Sequence, residues 1–461
     1  MGQRFTSQCL LDLIAMVKFV IIKFTALGLS SVRSLLLAAF LGPTSYGAFG
    51  VLILIQQYLG YTTLGMREGL TVSLAKALNA PTDVARICTS ALTWGACVGF
   101  VVALCIAALY SVGLLGPHLL LVGIISFFSI LNEMLININR AEGKLSKIAL
   151  VELLYNSIPL LALFYFWKTI TVPEVLLSIA AGLLLSVVIY LWTLPGVRGM
   201  RASWAKIKSL LGTGLPLSIQ SALIFIVNTV FIVLANRFYQ GAELGIVVFA
   251  ANICTLIMFA LNAVAWAMTS RSMSMFYSEE VSRTEYLRAQ RVRHTFRIGI
   301  LGAVIAAMST NLVLRWVLDE YGGADQFILY FVLFQAYGLL LFDELNYLAV
   351  NGRYRLVIAV YSWLLLMLIT PAYVLPMLTF ATIVKLGIAL HFTLAVAVTA
   401  YCKVLKGTQG MTVRSKYIFL MFPVACMLLY SVAGHAGVAL ACGLAAPVTL
   451  RGWFMTRPQH A

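Results

Sequence analysis

Ionisable residues stand inside runs apolar enough to cross a bilayer, among them Lys18, Lys23 and Arg33 in the first, Glu133 in the fourth, and Asp343 and Glu344 side by side in the tenth. A charge at that depth costs several kcal/mol unless it is hydrated or paired, so each is a functional candidate. At 100° and 1.5 Å per residue, the three cations share an arc of about 140° and span about 22 Å of one helix. Such a ladder suits an anion, because cations hold phosphate oxygens through charge-assisted hydrogen bonds. Lys18 is near enough to the interface to snorkel outward instead, and both readings stay open for Lys23. Arg33 lies about 12 Å short of the next turn.

The acids read differently. Two adjacent carboxylates point about 100° apart on a helix, so at least one faces an aqueous cavity, pairs with a base or holds a proton. That makes Glu133 and the Asp343–Glu344 pair candidates for coupling to an ion gradient, proton or sodium. The alternative for each is a salt bridge within its own half of the chain. Lys385 is a partner only if the twelfth span approaches.

Uncharged polar groups gather in spans two, seven and eight: Gln56, Gln57, Tyr58, Tyr61, Gln220, Asn228, Asn236, Asn252 and Asn262. Singly, each is accounted for by helix–helix hydrogen bonding. Together they suggest the wall of a cavity that meets a polar cargo. Other chemistry is missing. No G-x-x-x-x-G-K-[ST] holds a nucleotide, no H-E-x-x-H holds zinc, and no G-x-S-x-G presents a nucleophile. The five histidines (118, 294, 391, 435 and 460) are too scattered to pair as metal ligands. The eight cysteines include no C-x-x-C and read as free thiols in apolar runs. The expectation is a chain without metal or cofactor that is a transporter and not an enzyme.

The elements that must position these residues are helices crossing a membrane. Of 461 residues, 62% are hydrophobic and 10% charged, with a mean hydropathy of +0.97. Soluble domains carry about 25% charged residues. The apolar runs are continuous, whereas strands of a closed barrel would alternate. Fourteen spans are expected, at about 13–41, 46–66, 88–112, 118–139, 147–167, 172–195, 209–236, 244–268, 295–317, 326–350, 354–375, 379–402, 416–433 and 436–455. Of the 32 lysines and arginines, 26 flank the chain ends and the connections after even-numbered spans, and three (Lys168, Arg237, Arg315) follow odd-numbered ones. The positive-inside rule then places both termini in the cytoplasm. It also explains the net charge of +16 without a nucleic-acid partner. The longest connection, roughly 269–294, reads as a basic amphipathic helix held by anionic lipid heads.

The chain repeats itself. FLGPTSYGAFGV (40–51) answers to FYQGAELGIVVF (238–249), and NEMLININRAEGK (132–144) to DELNYLAVNGR (343–353). Each half holds six spans. Six is even, so the repeat is parallel, as in alternating-access transporters. The domains expected are 1–203 and 204–405, two six-helix lobes, and 406–461, a further two-helix hairpin with the C-terminal tail. The fold class is all-α and polytopic.

The turn Phe40-Leu41-Gly42-Pro43 with Tyr46-Gly47, the charged exit GMREGLTVSLAK of span two, the Gly-Lys exit of span four and the six-plus-six repeat together resemble the Wzx-type polysaccharide flippases of the MOP exporter superfamily. The second half departs from the pattern, with Gln240-Gly241 in place of Gly-Pro, and fourteen spans match the lipid II flippases in count. The resemblance implies a MATE-like fold and translocation of undecaprenyl-pyrophosphate-linked oligosaccharide from the cytoplasmic to the periplasmic leaflet of a bacterial inner membrane, for O-antigen, capsule or exopolysaccharide synthesis. It implies a lipid-linked glycan, membrane lipids, and a polymerase and chain-length regulator of the same pathway as partners. Lys18, Lys23 and Arg33 would then attract the pyrophosphate, and Gln56, Gln57, Tyr61, Gln220 and Asn228 would meet the sugar. The alternatives are a drug/cation antiporter of the same superfamily, and an O-antigen polymerase or ligase. The cationic first span opposes the former, and the lack of a long outward loop opposes the latter.

Overall fold

A run of apolar residues in hydrocarbon has to satisfy its own backbone, and a helix does so within the segment. The structure, a computed structural model, accordingly shows helices and no strands among the residues it describes: 2–77, 81–166, 169–194, 201–258, 318–350, 353–375 and 377–406. The helices are α1 (Gly2–Leu59), α2 (Met66–Ala77), α3 (Pro81–Ser111), α4 (Pro117–Ala141), α5 (Leu145–Tyr165), α6 (Val172–Trp192), α7 (Trp204–Phe238), α8 (Ala242–Met258), α9 (Ala324–Val350), α10 (Tyr354–Val374) and α11 (Phe380–Lys406). Seven of the described helical stretches are long and apolar enough to cross a membrane. The protein is a polytopic, all-α membrane protein. The spans expected at 295–317, 416–433 and 436–455, the basic connection 269–294, the end of the eighth span and Asn262 lie outside the described residues.

Local sequence sets the breaks. Helix α1 contains the expected first span and most of the second, which ends in a 3-10 turn at Gly60–Thr63, and the two are divided at Gly42, whose φ of 67° and ψ of 168° no helix contains. Glycine alone adopts such a backbone cheaply, and Pro43 behind it starts the next helix. Thr171 and Glu174 form a capping box ahead of α6. Pro159, Pro216 and Pro371 lie within α5, α7 and α10, as expected. One element differs from expectation. The charged exit of span two is not a loop but helix α2, which carries Arg67 and Glu68 on its first turn.

The chain forms two compact units, Met1–Phe225 and Ile226–Ala461. In the first, α3 packs on α4, α4 and α5 on α6, and α1 on α5. Leu70, Leu74, Ile87, Leu135, Ile138 and Leu210 fill a dry cluster where α2 meets the ends of its neighbours. Outward-facing positions are apolar too, including Phe100, Val101 and Leu104 on α3 and Leu184, Val188 and Leu191 on α6. Apolar surface on this scale is what lipid covers. In the second unit the contacts are largely aromatic. Phe231 of α7 stacks on Phe331 at 5.7 Å and meets Phe334 edge-on at 4.6 Å, and Tyr239 meets Phe380 edge-on at 5.4 Å.

Two backbones touch where α2 crosses α7. A Cβ on Gly69 would lie 2.0 Å from the Leu210 carbonyl oxygen, and one on Gly214 would lie 1.8 Å from that of Gly65. Gly65 also holds a φ of 88°. Helices in lipid gain contact by such close approach, which small residues permit. Gly69→Val is therefore expected to destabilise the protein by about 1–3 kcal/mol or more through overpacking. Gly212→Ala, between Leu210 and Gly214 but with nothing within 4 Å of its added Cβ, should be neutral or stabilising. Thermal unfolding of the two variants in detergent checks the contrast.

Candidate functional site

One polar cluster of the first unit gathers around Arg67. Its Nη1 donates to Glu133 Oε2 at 2.8 Å, while Nε and Nη2 donate to Glu68 Oε1 at 3.1 and 2.8 Å. Burial opposes this cation, but the carboxylates of Glu133 and Glu68 outweigh that cost and hold its pKa above the ordinary arginine value. The guanidinium also lies over the Tyr61 ring, 5.6 Å from its centroid. Tyr61 in turn donates its hydroxyl to the Ser221 carbonyl at 3.4 Å, and its ring lies 5.4 Å from that of Phe225. Tyr58 meets the same phenylalanine edge-on at 5.1 Å. On the other side, the Asn137 amide donates to the Glu133 carbonyl at 2.9 Å, and the Thr71 hydroxyl lies 3.3 Å from Asn137 Oδ1. One network thus ties α1, α2, α4 and α7 together, with two carboxylates around one guanidinium. Glu133 keeps 40% of its side chain exposed.

Arg33 is separate from this network. It lies on α1, partly buried, and its Nε and Nη1 are shielded from solvent and donate to no group among the described residues. An unmet guanidinium donor is expensive, because the desolvation cost has no compensating hydrogen bond. The backbones of Lys18 and Lys23 lie on the same helix, and their side chains lie outside the described residues. Gln56 is partly buried, Gln57 exposed and Gln220 buried.

In the second unit, Asn228 is exposed on α7 and Asn252 is partly buried. Asp343 and Glu344 stand on α9, with their side chains outside the described residues. Lys385 is exposed on α11, 5.6 Å from the centroid of the Tyr330 ring. Of the free cysteines described, Cys88 and Cys254 are buried, whereas Cys97 and Cys105 are exposed along α3.

Sequence reasoning missed Arg67 as the base that meets Glu133. The available signal was an acid and a base near corresponding ends of spans two and four, but 66 residues of sequence separate them. It also passed over His391, which scattered histidine spacing gave no reason to select. No group of three or more metal-ligating side chains is found among the described residues.

No protein-family profile and no curated protein sequence matches the chain. Solved structures do. An inward-facing multidrug resistance MATE family transporter of the MOP superfamily superposes with a TM-score of 0.67 at 15% identity, over 83% of this chain and 96% of that one. An outward-facing conformation gives 0.68 at 15% identity, over 85% and 94%. A MOP superfamily transporter from Pyrococcus furiosus, described as having a binding pocket of reverse polarity that suggests a different function, gives 0.59 at 14% identity, over 86% and 96%. The chain has the fold of the MATE-family transporters of the MOP superfamily.

The contact between Arg67 and Glu133 is directly testable. A double-mutant cycle with Arg67→Ala and Glu133→Gln, read by thermal unfolding in detergent, is expected to return a coupling of about 0.5–3 kcal/mol. Arg67→Ala alone should be the costlier substitution, since it leaves two carboxylates facing each other.

Proposed function

We propose that the protein is a membrane transporter that flips an undecaprenyl-pyrophosphate-linked oligosaccharide from the cytoplasmic to the periplasmic leaflet by alternating access. The observation that carries this reading is Arg33, a permanent cation within an apolar span whose shielded Nε and Nη1 meet no acceptor among the described residues. A pyrophosphate supplies acceptors of the right charge and geometry. The pyrophosphate and glycan cannot cross hydrocarbon unaided, whereas the polyprenyl tail never has to leave it. Tyr58, Tyr61 and Phe225 form an aromatic cluster close to Gln56 and Gln57 in sequence, chemistry that suits a sugar's apolar faces and hydroxyls. The MATE-like fold supports a transport cycle, since solved relatives of that fold are described as inward- and outward-facing.

Coupling to a proton or sodium gradient falls to Glu133 or to Asp343 and Glu344. The multidrug resistance transporters among the similar structures favour one second reading, a drug/cation antiporter. A cationic drug seeks acids, however, and Arg33 would repel it. The place of action is the inner membrane with both termini cytoplasmic. The cycle delivers its product to a polymerase and a chain-length regulator.

Disruption of the gene followed by extraction of lipid-linked glycans tests the reading. Single repeat units should accumulate on the cytoplasmic leaflet, and accumulation on the periplasmic leaflet alone would point to a polymerase or ligase instead. Arg33→Ala at normal membrane levels is expected to cut glycan export by at least tenfold, about 1.4 kcal/mol. Arg33→Lys should restore part of it, and full export by Arg33→Ala would exclude the assigned role.

A further inference from the structure

Two helices of the second unit present different surfaces. The large exposed side chains of α10 include Trp363, Leu366, Ile369 and Tyr373, a surface that hydrocarbon covers. Between residues 380 and 398 of α11, the exposed residues described are Thr382, Lys385, Ala389, Thr393 and Ala397. At 100° per residue these five fall within an arc of about 120°. Leu386, the large apolar residue described inside that arc, is partly buried, and Val396 has its side chain outside the described residues. Small, hydroxyl-bearing and charged residues suit water and not lipid, since an ammonium in hydrocarbon costs several kcal/mol.

Lys385 is the charge on this face. Its ammonium lies 5.6 Å from the centroid of the Tyr330 ring on α9. It forms no ion pair or hydrogen bond among the described residues. Tyr330 stands six residues inside α9, about 9 Å of rise, so the ammonium is held at depth and not drawn to the interface as a snorkelling lysine is. The acids expected as its partners stand elsewhere on α9. Asp343 follows Tyr330 by thirteen residues, about 20 Å of helix, a separation no lysine side chain bridges. Of the other charges on the neighbouring helices, Asp325 belongs to the first turn of α9 and Arg237 of α7 lies over Tyr373.

We propose that Lys385 is a binding residue of the second unit for the pyrophosphate of the cargo, on a water-lined face of α11. The role rests on the flippase reading proposed above, and it adds a cation on the second unit to Arg33 on the first. The hydroxyls of this face are already engaged, Thr393 with the Ala389 carbonyl at 2.9 Å and Thr382 with Thr379 at 2.9 Å. Lys385 therefore supplies the open donors, three N–H groups on one charge. Phosphate oxygens accept from them in charge-assisted hydrogen bonds. Ala389, one turn along the same face, has no side chain beyond Cβ to obstruct the anion. The Tyr330 ring attracts the ammonium from the other side and keeps it in place when the anion has left.

The first test does not depend on the cargo. The full chain carrying Ala389→Cys is treated with an anionic, water-soluble thiol reagent in phosphatidylcholine nanodiscs, and labelled positions are read by mass spectrometry. Native Cys97 and Cys105, exposed along α3 beside Phe100, Val101 and Leu104, are internal references for a lipid-facing thiol. The introduced thiol should react about tenfold faster than either, because thiolate and reagent both need water. Inorganic pyrophosphate should slow it about threefold or more and leave Cys97 and Cys105 unaltered. Lys385→Gln should abolish that protection, and Lys385→Arg, which keeps the charge, should retain it. A thiol at position 389 as slow as the references, or equal protection with Lys385→Gln, overturns the proposal. So does protection that phosphatidylglycerol in the disc supplies and inorganic pyrophosphate does not, which would make Lys385 an anchor for phospholipid.

The second test rests on the proposed flippase reading. At normal membrane levels, Lys385→Gln should cut glycan export about tenfold, and Lys385→Arg should keep a larger share of it. Full export by Lys385→Gln overturns the proposal. If disruption of the gene leaves no lipid-linked glycan behind, the cargo assignment fails, and protection by inorganic pyrophosphate still decides whether Lys385 binds the anion.

Discussion

Hydrocarbon offers a peptide group no hydrogen-bonding partner, and this shapes the protein more than any single contact. Every backbone polar group in the membrane has to be met within its own segment, so the described spans are helices. The same condition moves the discriminating contacts away from the hydrophobic effect, which barely separates a lipid-facing leucine from a buried one. What remains is close packing, backbone contact at glycine, and a few polar networks. The contact of Gly65 and Gly69 with Leu210–Gly214 is such a backbone contact, and the Arg67 cluster is such a polar network.

The charges divide by whether they are met. Arg67 is fully engaged, with two carboxylates and an aromatic ring, and in that state it joins helices. Arg33 and His391 are the reverse: polar nitrogens withdrawn from solvent with no partner among the described residues. A protein that conserves stability would place apolar residues at both positions. Retaining Arg33 makes sense if it is met at another stage, as by the anionic head group proposed above.

Much of the architecture was legible in the sequence, because hydropathy and length define a span almost by themselves. The expected span at 118–139 is helix Pro117–Ala141, and that at 354–375 is Tyr354–Val374. Gly42-Pro43 announced the break in α1 through a backbone that only glycine adopts readily. Helix α2 was less legible: MREGLTVSLAKA is too polar for a span and reads as a connection until its apolar positions find the cluster of Leu70, Leu74 and Ile87.

Sequence alone determined that this is a polytopic helical membrane protein, where its helices break, and that Arg33 and Glu133 lie in apolar runs. Those properties are local, set by transfer of a segment from water to hydrocarbon. Tertiary structure alone decided which charges have partners. Glu133 met Arg67 across 66 residues, Arg33 met none of the described groups, and His391, unremarkable in the sequence, proved to be sealed beside Gly338 and Asn228. The reason is physical: pairing depends on which helix faces come together, and in lipid that is settled by side-chain packing between helices and not by the hydropathy that inserts them.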